Sequence, residues 1–113
     1  MRVLLDECLP RKLKDRIVGH EVTTVQERGW SGKKNGELLR LMHGCVDVFL
    51  PSDQNLRYQQ DLSATRYSII ILVARDNRLM TLHPLVAHVQ QVLLTITPGL
   101  VVEVSSAEAS TGV

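Results

Sequence analysis

Val3-Leu4-Leu5-Asp6-Glu7 opens on three apolar residues and stops abruptly at two carboxylates. A short apolar run without polar alternation reads as a strand buried on both faces, as in a parallel sheet. Val46-Asp47-Val48-Phe49-Leu50 follows the same plan and ends at Pro51-Ser52-Asp53, and Tyr67 to Ala74 is the most apolar stretch of all. His20 to Val25 is rich in β-branched residues and reads as a further strand, as does Leu100 to Val104.

Helical patterns lie between these runs. Leu9, Leu13 and Ile17 recur every four residues, with Arg11, Lys12, Lys14, Asp15 and Arg16 between them. This spacing predicts a short amphipathic helix with a basic outer face, Pro10 in its first turn and Gly19 as its stop. Gln26 to Lys34 is mostly loop. Asn35 can cap the next helix, whose buried side would be Leu38, Leu39, Leu41 and Met42. Leu56 to Leu62 is short and polar, a helical turn or two. From Thr81 to Ile96 apolar residues return at helical spacing, and Pro84 fits only in the first turn. Five strands alternating with helices predict one α/β domain over residues 1–104: a five-stranded parallel sheet with helices on both faces. Residues 105–113, without a large apolar side chain until the last position, read as a disordered tail.

Composition agrees. The 113 residues suffice for a single domain, and 44% hydrophobic with 22% charged residues describe a chain with a core and a polar surface. A disordered chain and a disulfide-stapled miniprotein are excluded. No apolar run approaches the ~20 residues of a membrane span, and Asp6-Glu7 interrupts any leader-like start, so the expected compartment is the cytoplasm, without membrane contact. Cys8 and Cys45 are expected as free thiols. All 13 Lys and Arg fall between Arg2 and Arg78, beyond which the only charges are Glu103 and Glu108. An anionic partner would meet the first two-thirds of the chain.

In open parallel sheets ligands bind outside the carboxyl ends of the strands, where strand order reverses. Asp6 ends the first strand, Asp53 follows the third, and Glu37 lies in the first turn of the helix after the second. Carboxylates converging there need a counter-charge, and Mg²⁺ or Mn²⁺ matches hard oxygen donors. Such a metal suits phosphodiester hydrolysis, because it acidifies a bound water and offsets charge on the phosphoryl oxygens. Glu7, adjacent to Asp6, points the other way in an extended segment and reads as a supporting or helix-start acid. Asp47 and Asp61 read as surface or capping residues, and Asp76 as a loop residue.

Leu5-Asp6-Glu7-Cys8-Leu9-Pro10, Gly19-His20-Glu21-Val22, Gly29-Trp30, Asn35-Gly36-Glu37-Leu38-Leu39 and Ser52-Asp53-Gln54-Asn55-Leu56 occur in the order seen in a small PIN-like family. From Val3 to about Val104 the chain resembles such a protein, of the type regarded as the nuclease or toxin of a toxin–antitoxin pair. The resemblance implies strand order 3-2-1-4-5, Mg²⁺-dependent cleavage of RNA and an antitoxin partner. It assigns the acidic site to Asp6, Glu37 and Asp53, with Asn55 where many relatives carry a further acid, and Pro51-Ser52-Asp53 where Thr-Thr-Asp is commoner. In that scheme the three acids hold the metal, directly or through water, Asn55 orients a ligand or the attacking water, and Ser52 supports Asp53.

Single-stranded RNA would be met by Arg57, just past Asp53, and by Lys33, Lys34 and Trp30, the ring offering a stacking platform. Trp30 equally suits a plug at the core edge. The basic faces of Arg11, Lys12, Lys14 and Arg16 suit a phosphate backbone or plain solvent. His20, His43, His83 and His88 match no zinc spacing. Cys8, beside two acids and lacking a His base, reads as a small buried hydrophobe rather than a nucleophile. A PIN-like binding module that has lost catalysis is the alternative, carried by Asn55 and Pro51. A signalling receiver also places acids after strands one and three. It needs a Ser or Thr after strand four and a Lys after strand five, where this chain has Val73-Ala74-Arg75 and no Lys beyond Lys34. The short elements are compatible with a homodimer.

Overall fold

The computed structural model describes residues 1–52 and 66–105. The helical turn expected at Leu56–Leu62, and residues 106–113 of the expected tail, lie outside the described residues. Five strands form one parallel sheet: β1 (Arg2–Leu5), β2 (Glu21–Thr24), β3 (Val48–Leu50), β4 (Ser68–Val73) and β5 (Val101–Ser105). The fifth strand therefore runs one residue past its expected end, into the segment read as tail.

Strand order is β2-β1-β3-β4-β5, which corrects the 3-2-1-4-5 arrangement implied by the family resemblance. The residues explain the difference. Val48, Phe49 and Leu50 are all buried, at 1% exposure or less, and need a strand on either side. Glu21-Val22-Thr23-Thr24 alternates in exposure and suits an edge. β3 accordingly pairs with β1 through Val3 and Val48 and with β4 through Val48 and Ser68, while among the described residues β2 has β1 alone as a neighbour.

Pleating distributes the strands' apolar side chains to two cores. Val3, Leu5, Val48, Leu50, Ile70 and Leu72 pack with Leu9, Leu13 and Ile17 and with Leu82, Leu85, Val89 and Leu93. Leu4, Phe49, Ile69 and Ile71 turn to the other face, against Leu38, Leu39, Met42 and Val46. The sheet is covered on both sides, which is why its inner strands lack polar alternation.

The helices follow the expected faces, with differences in each. Leu9, Leu13 and Ile17 are buried as their spacing requires, but Arg11–Arg16 winds as a 3-10 helix. Pro10 enters it with extended backbone, and its carbonyl accepts from Leu13 N–H at 3.0 Å, an i to i+3 bond. In α1 (Asn35–Leu41), Lys34 occupies the cap position and no side chain caps the helix, so Asn35 is already inside it. Leu41 is exposed, and Leu38, Leu39 and Met42 form the buried stripe. The last helical segment begins at Leu79, earlier than expected: α2 (Leu79–Leu82), a 3-10 turn (His83–Leu85) and α3 (Val86–Thr95). Pro84 has no N–H to give Met80, and the chain tightens at that point. None of the described helices is long and apolar enough to cross a membrane.

Candidate functional site

Order reverses between β1 and β3, so the switch point lies at their carboxyl ends. Asp6 N–H donates to the Leu50 carbonyl at 3.2 Å, carrying the β1–β3 ladder one residue beyond the strand. Leu72 N–H donates to the Pro51 carbonyl at 2.9 Å and holds the end of β3 against β4. Residues 6 and 52 consequently emerge side by side.

Cys8 joins them. Its Sγ lies 3.0 Å from Ser52 Oγ and 3.3 Å from Asp6 Oδ2, while Asp6 Oδ1 accepts Glu7 N–H at 2.9 Å. A single thiol proton satisfies the chain if Ser52 donates to sulfur and sulfur donates to the carboxylate. Desolvation, together with the Asp6 charge, raises the thiol above its ordinary pKa, against the hydroxyl of Ser52, which lowers it. Cys8 is thus held as a neutral thiol. It is also an exposed residue, which corrects its reading as a buried hydrophobe. Its place between Asp6 and Ser52 is not among the expectations from the sequence. The signal was its position two residues past Asp6, where the chain turns back and Leu9 N–H reaches the Asp6 carbonyl at 3.1 Å.

Glu7 points away from this cluster. Its carboxylate accepts Gly32 N–H at 3.1 and 3.3 Å, and its carbonyl accepts Gln26 Nε2 at 3.1 Å. Gly32 has φ +80° and nothing within 4 Å of where a Cβ would stand, so backbone conformation selects glycine there. Glu7 thereby ties the Trp30 loop to the end of β1. Trp30 packs partly buried against the second core, with the Arg28 guanidinium 5.4 Å from its ring centre. Lys33 Nζ lies 3.2 Å from Glu37 Oε1, one helical turn away, and both side chains are well exposed. Lys34 lies exposed at the start of α1.

The expected carboxylates therefore divide. Asp6 stands at the switch point beside Ser52, Glu37 is paired with Lys33 on α1, and Asp53, Asn55, Arg57 and Asp61 lie outside the described residues. Among the described residues no group of three or more His, Cys, Asp or Glu could hold a metal ion. Asp6 and Ser52 offer the hard oxygen chemistry that Mg²⁺ or Mn²⁺ requires, and such ions keep several waters with only one or two protein carboxylates. The donor types fit. A full ligand set would need Asp53.

The remaining acids have structural work. Asp47 Oδ2 accepts Arg2 N–H at 2.7 Å and Nε at 3.2 Å, and Oδ1 lies 3.1 Å from Arg2 Nη2. Asp47 pins the start of β1 beside β3 at the opposite edge of the sheet. Asp76 Oδ1 accepts Arg78 N–H at 3.0 Å in the turn before α2, with Arg75 and Arg78 beside it. Hydrogen bonding to Thr81 and to Arg78 N–H lowers its pKa.

Comparison with known protein families, with curated proteins and with solved structures gives no match for this chain.

Proposed function

We propose that this protein is a metal-dependent endoribonuclease of the PIN-like kind, hydrolysing single-stranded RNA at the carboxyl edge of its sheet. The observation that carries this reading is Asp6 at the β1–β3 switch point, joined through Cys8 to Ser52, the residue before Asp53. In the proposed site Asp6 and Asp53 would hold Mg²⁺ or Mn²⁺, and Glu37, which is paired with Lys33, would contribute only through water. When bound, the ion acidifies a coordinated water and offsets phosphoryl charge. Asp6 is oriented for this by Glu7 N–H, and Cys8, itself bonded to Ser52, presents a neutral thiol to it. Asn55 orients a ligand or the attacking water, and Arg57 contacts phosphate. If the protein is the toxin of a pair, its antitoxin covers this edge.

The sheet order is shared with flavodoxin-like folds, including signalling receivers, and such folds host unrelated chemistries. The proposal accordingly rests on the carboxylates. The receiver reading still lacks its hydroxyl after β4, where Ala74-Arg75 stands, and its lysine after β5.

Cleavage of a panel of single-stranded and structured RNAs with Mg²⁺ or Mn²⁺ tests the proposal, comparing the native chain with Asp6→Asn and Asp53→Asn. The expected result is metal-dependent cutting that falls at least a hundredfold in each variant. Equal cutting by all three proteins would place the chemistry elsewhere. No cutting by any of them would favour the binding module that has lost catalysis.

A further inference from the structure

Among the described residues two clefts open on the carboxyl edge, one on the β2 side of Asp6 and one on the β4 side. The first, about 420 Å³, is lined by Arg11, Lys12, Lys14, Asp15, Thr24 and Glu27. Thr24 is the last residue of β2 and pairs with Leu5, the residue before Asp6, so this wall lies one strand from the switch point. Lys14 is engaged by Glu27 at 2.8 Å. Arg11 and Lys12 are exposed and have no ion-pair partner among the described residues. The second cleft, about 220 Å³, is lined by Ala74, Arg75, Met80, Thr81 and Pro84, immediately past the end of β4. Arg75 and Arg78 share the single carboxylate of Asp76, leaving an excess of positive charge, with their side chains 84% and 83% exposed. Met80 is 87% exposed beside them.

The first cleft has a size that would admit a small molecule, but its lining is almost wholly charged, unlike the apolar pockets that bury such ligands. Cations on both flanks of a central carboxylate suit an extended polyanion instead. β2 and β4 are separated by three interstrand spacings, about 14 Å, a span that a few nucleotides of single strand can bridge.

We infer that single-stranded RNA crosses the carboxyl edge from the Arg11–Lys12 cleft over Asp6 to the cleft lined by Arg75, with Arg78 nearby on the shared Asp76 and a base resting on Met80. This inference rests on the nuclease reading and gives that site its substrate path. Its test needs no catalysis. Fluorescence anisotropy with a labelled single-stranded RNA 12-mer, in EDTA and at several salt concentrations, compares the native chain with R11Q/K12Q and with R75Q/R78Q, circular dichroism establishing that each is folded. Each pair should weaken binding about tenfold and reduce the magnitude of the salt slope by about 1.4, two phosphate contacts' worth for a single strand. Loss in one pair alone would confine RNA to one cleft and overturn the crossing path, as would unchanged binding in both. No binding by the native chain would also overturn it. Equal binding of polyglutamate would overturn the phosphate assignment and make the edge a docking face for an acidic protein. RNA bound as expected but never cut would instead sink the nuclease reading and leave the path standing.

Discussion

Asp6 and Asp47 have the same side chain and opposite employment. Each sits beside the β1–β3 pair, Asp6 past its carboxyl end and Asp47 before its amino end. Asp47 is saturated by Arg2, whose side-chain and backbone hydrogen bonds hold its carboxyl below the usual range. A group with a lowered folded-state pKa stabilises above its unfolded value, and the contribution is lost as pH falls through the folded value. Asp47→Asn should therefore unfold at lower urea than the native chain at pH 7. The gap should close as the pH is taken below the folded pKa of Asp47, as urea titrations at several pH values would reveal. A gap that is independent of pH would remove the ionised pair from the explanation. At this scale the sequence separated the positions of the two acids, because one follows an apolar run and the other interrupts one. It missed Cys8, since a thiol's partners depend on how the chain turns after β1.

At the scale of elements, β4 carries the sharpest expectation. Ile70 and Ile71 are both fully buried, yet they belong to different cores on opposite faces of the sheet. Ile70→Val and Ile71→Val should each cost about 1 kcal/mol. The double variant should cost their sum to within about 0.5 kcal/mol, since the two methyl groups leave separate packing environments. Urea unfolding of the four proteins measures this, and strong coupling would contradict the two-core arrangement. Strand identities were legible because runs such as Ser68–Val73 are buried whatever covers them. Helix details were less so. A four-residue apolar spacing is satisfied equally by the 3-10 turn that Pro10 starts, and Leu41 looks no different from Leu38 until α1 is laid on the sheet.

For the whole molecule, strand order is the decisive property. With β2 at the edge and β3 interior, amide hydrogen exchange should be slowest in β3 and β4 and faster in β2, whose outer side lacks a neighbouring strand among the described residues. Faster exchange in β3 than in β2 would argue for the order 3-2-1-4-5. The sequence by itself determined a parallel α/β domain, because apolar runs separated by amphipathic segments have few other ways to hide from water. It also determined that Asp6 follows directly on a strand. Only the tertiary structure decided which strands are neighbours, and hence that Asp6 is joined to Ser52 through Cys8 while Glu37 is paired with Lys33. Local pattern fixes which face of an element is buried. Neighbours in the sheet are chosen by contacts between residues 19 to 45 positions apart, the longest being Val3 with Val48, and no periodicity encodes them.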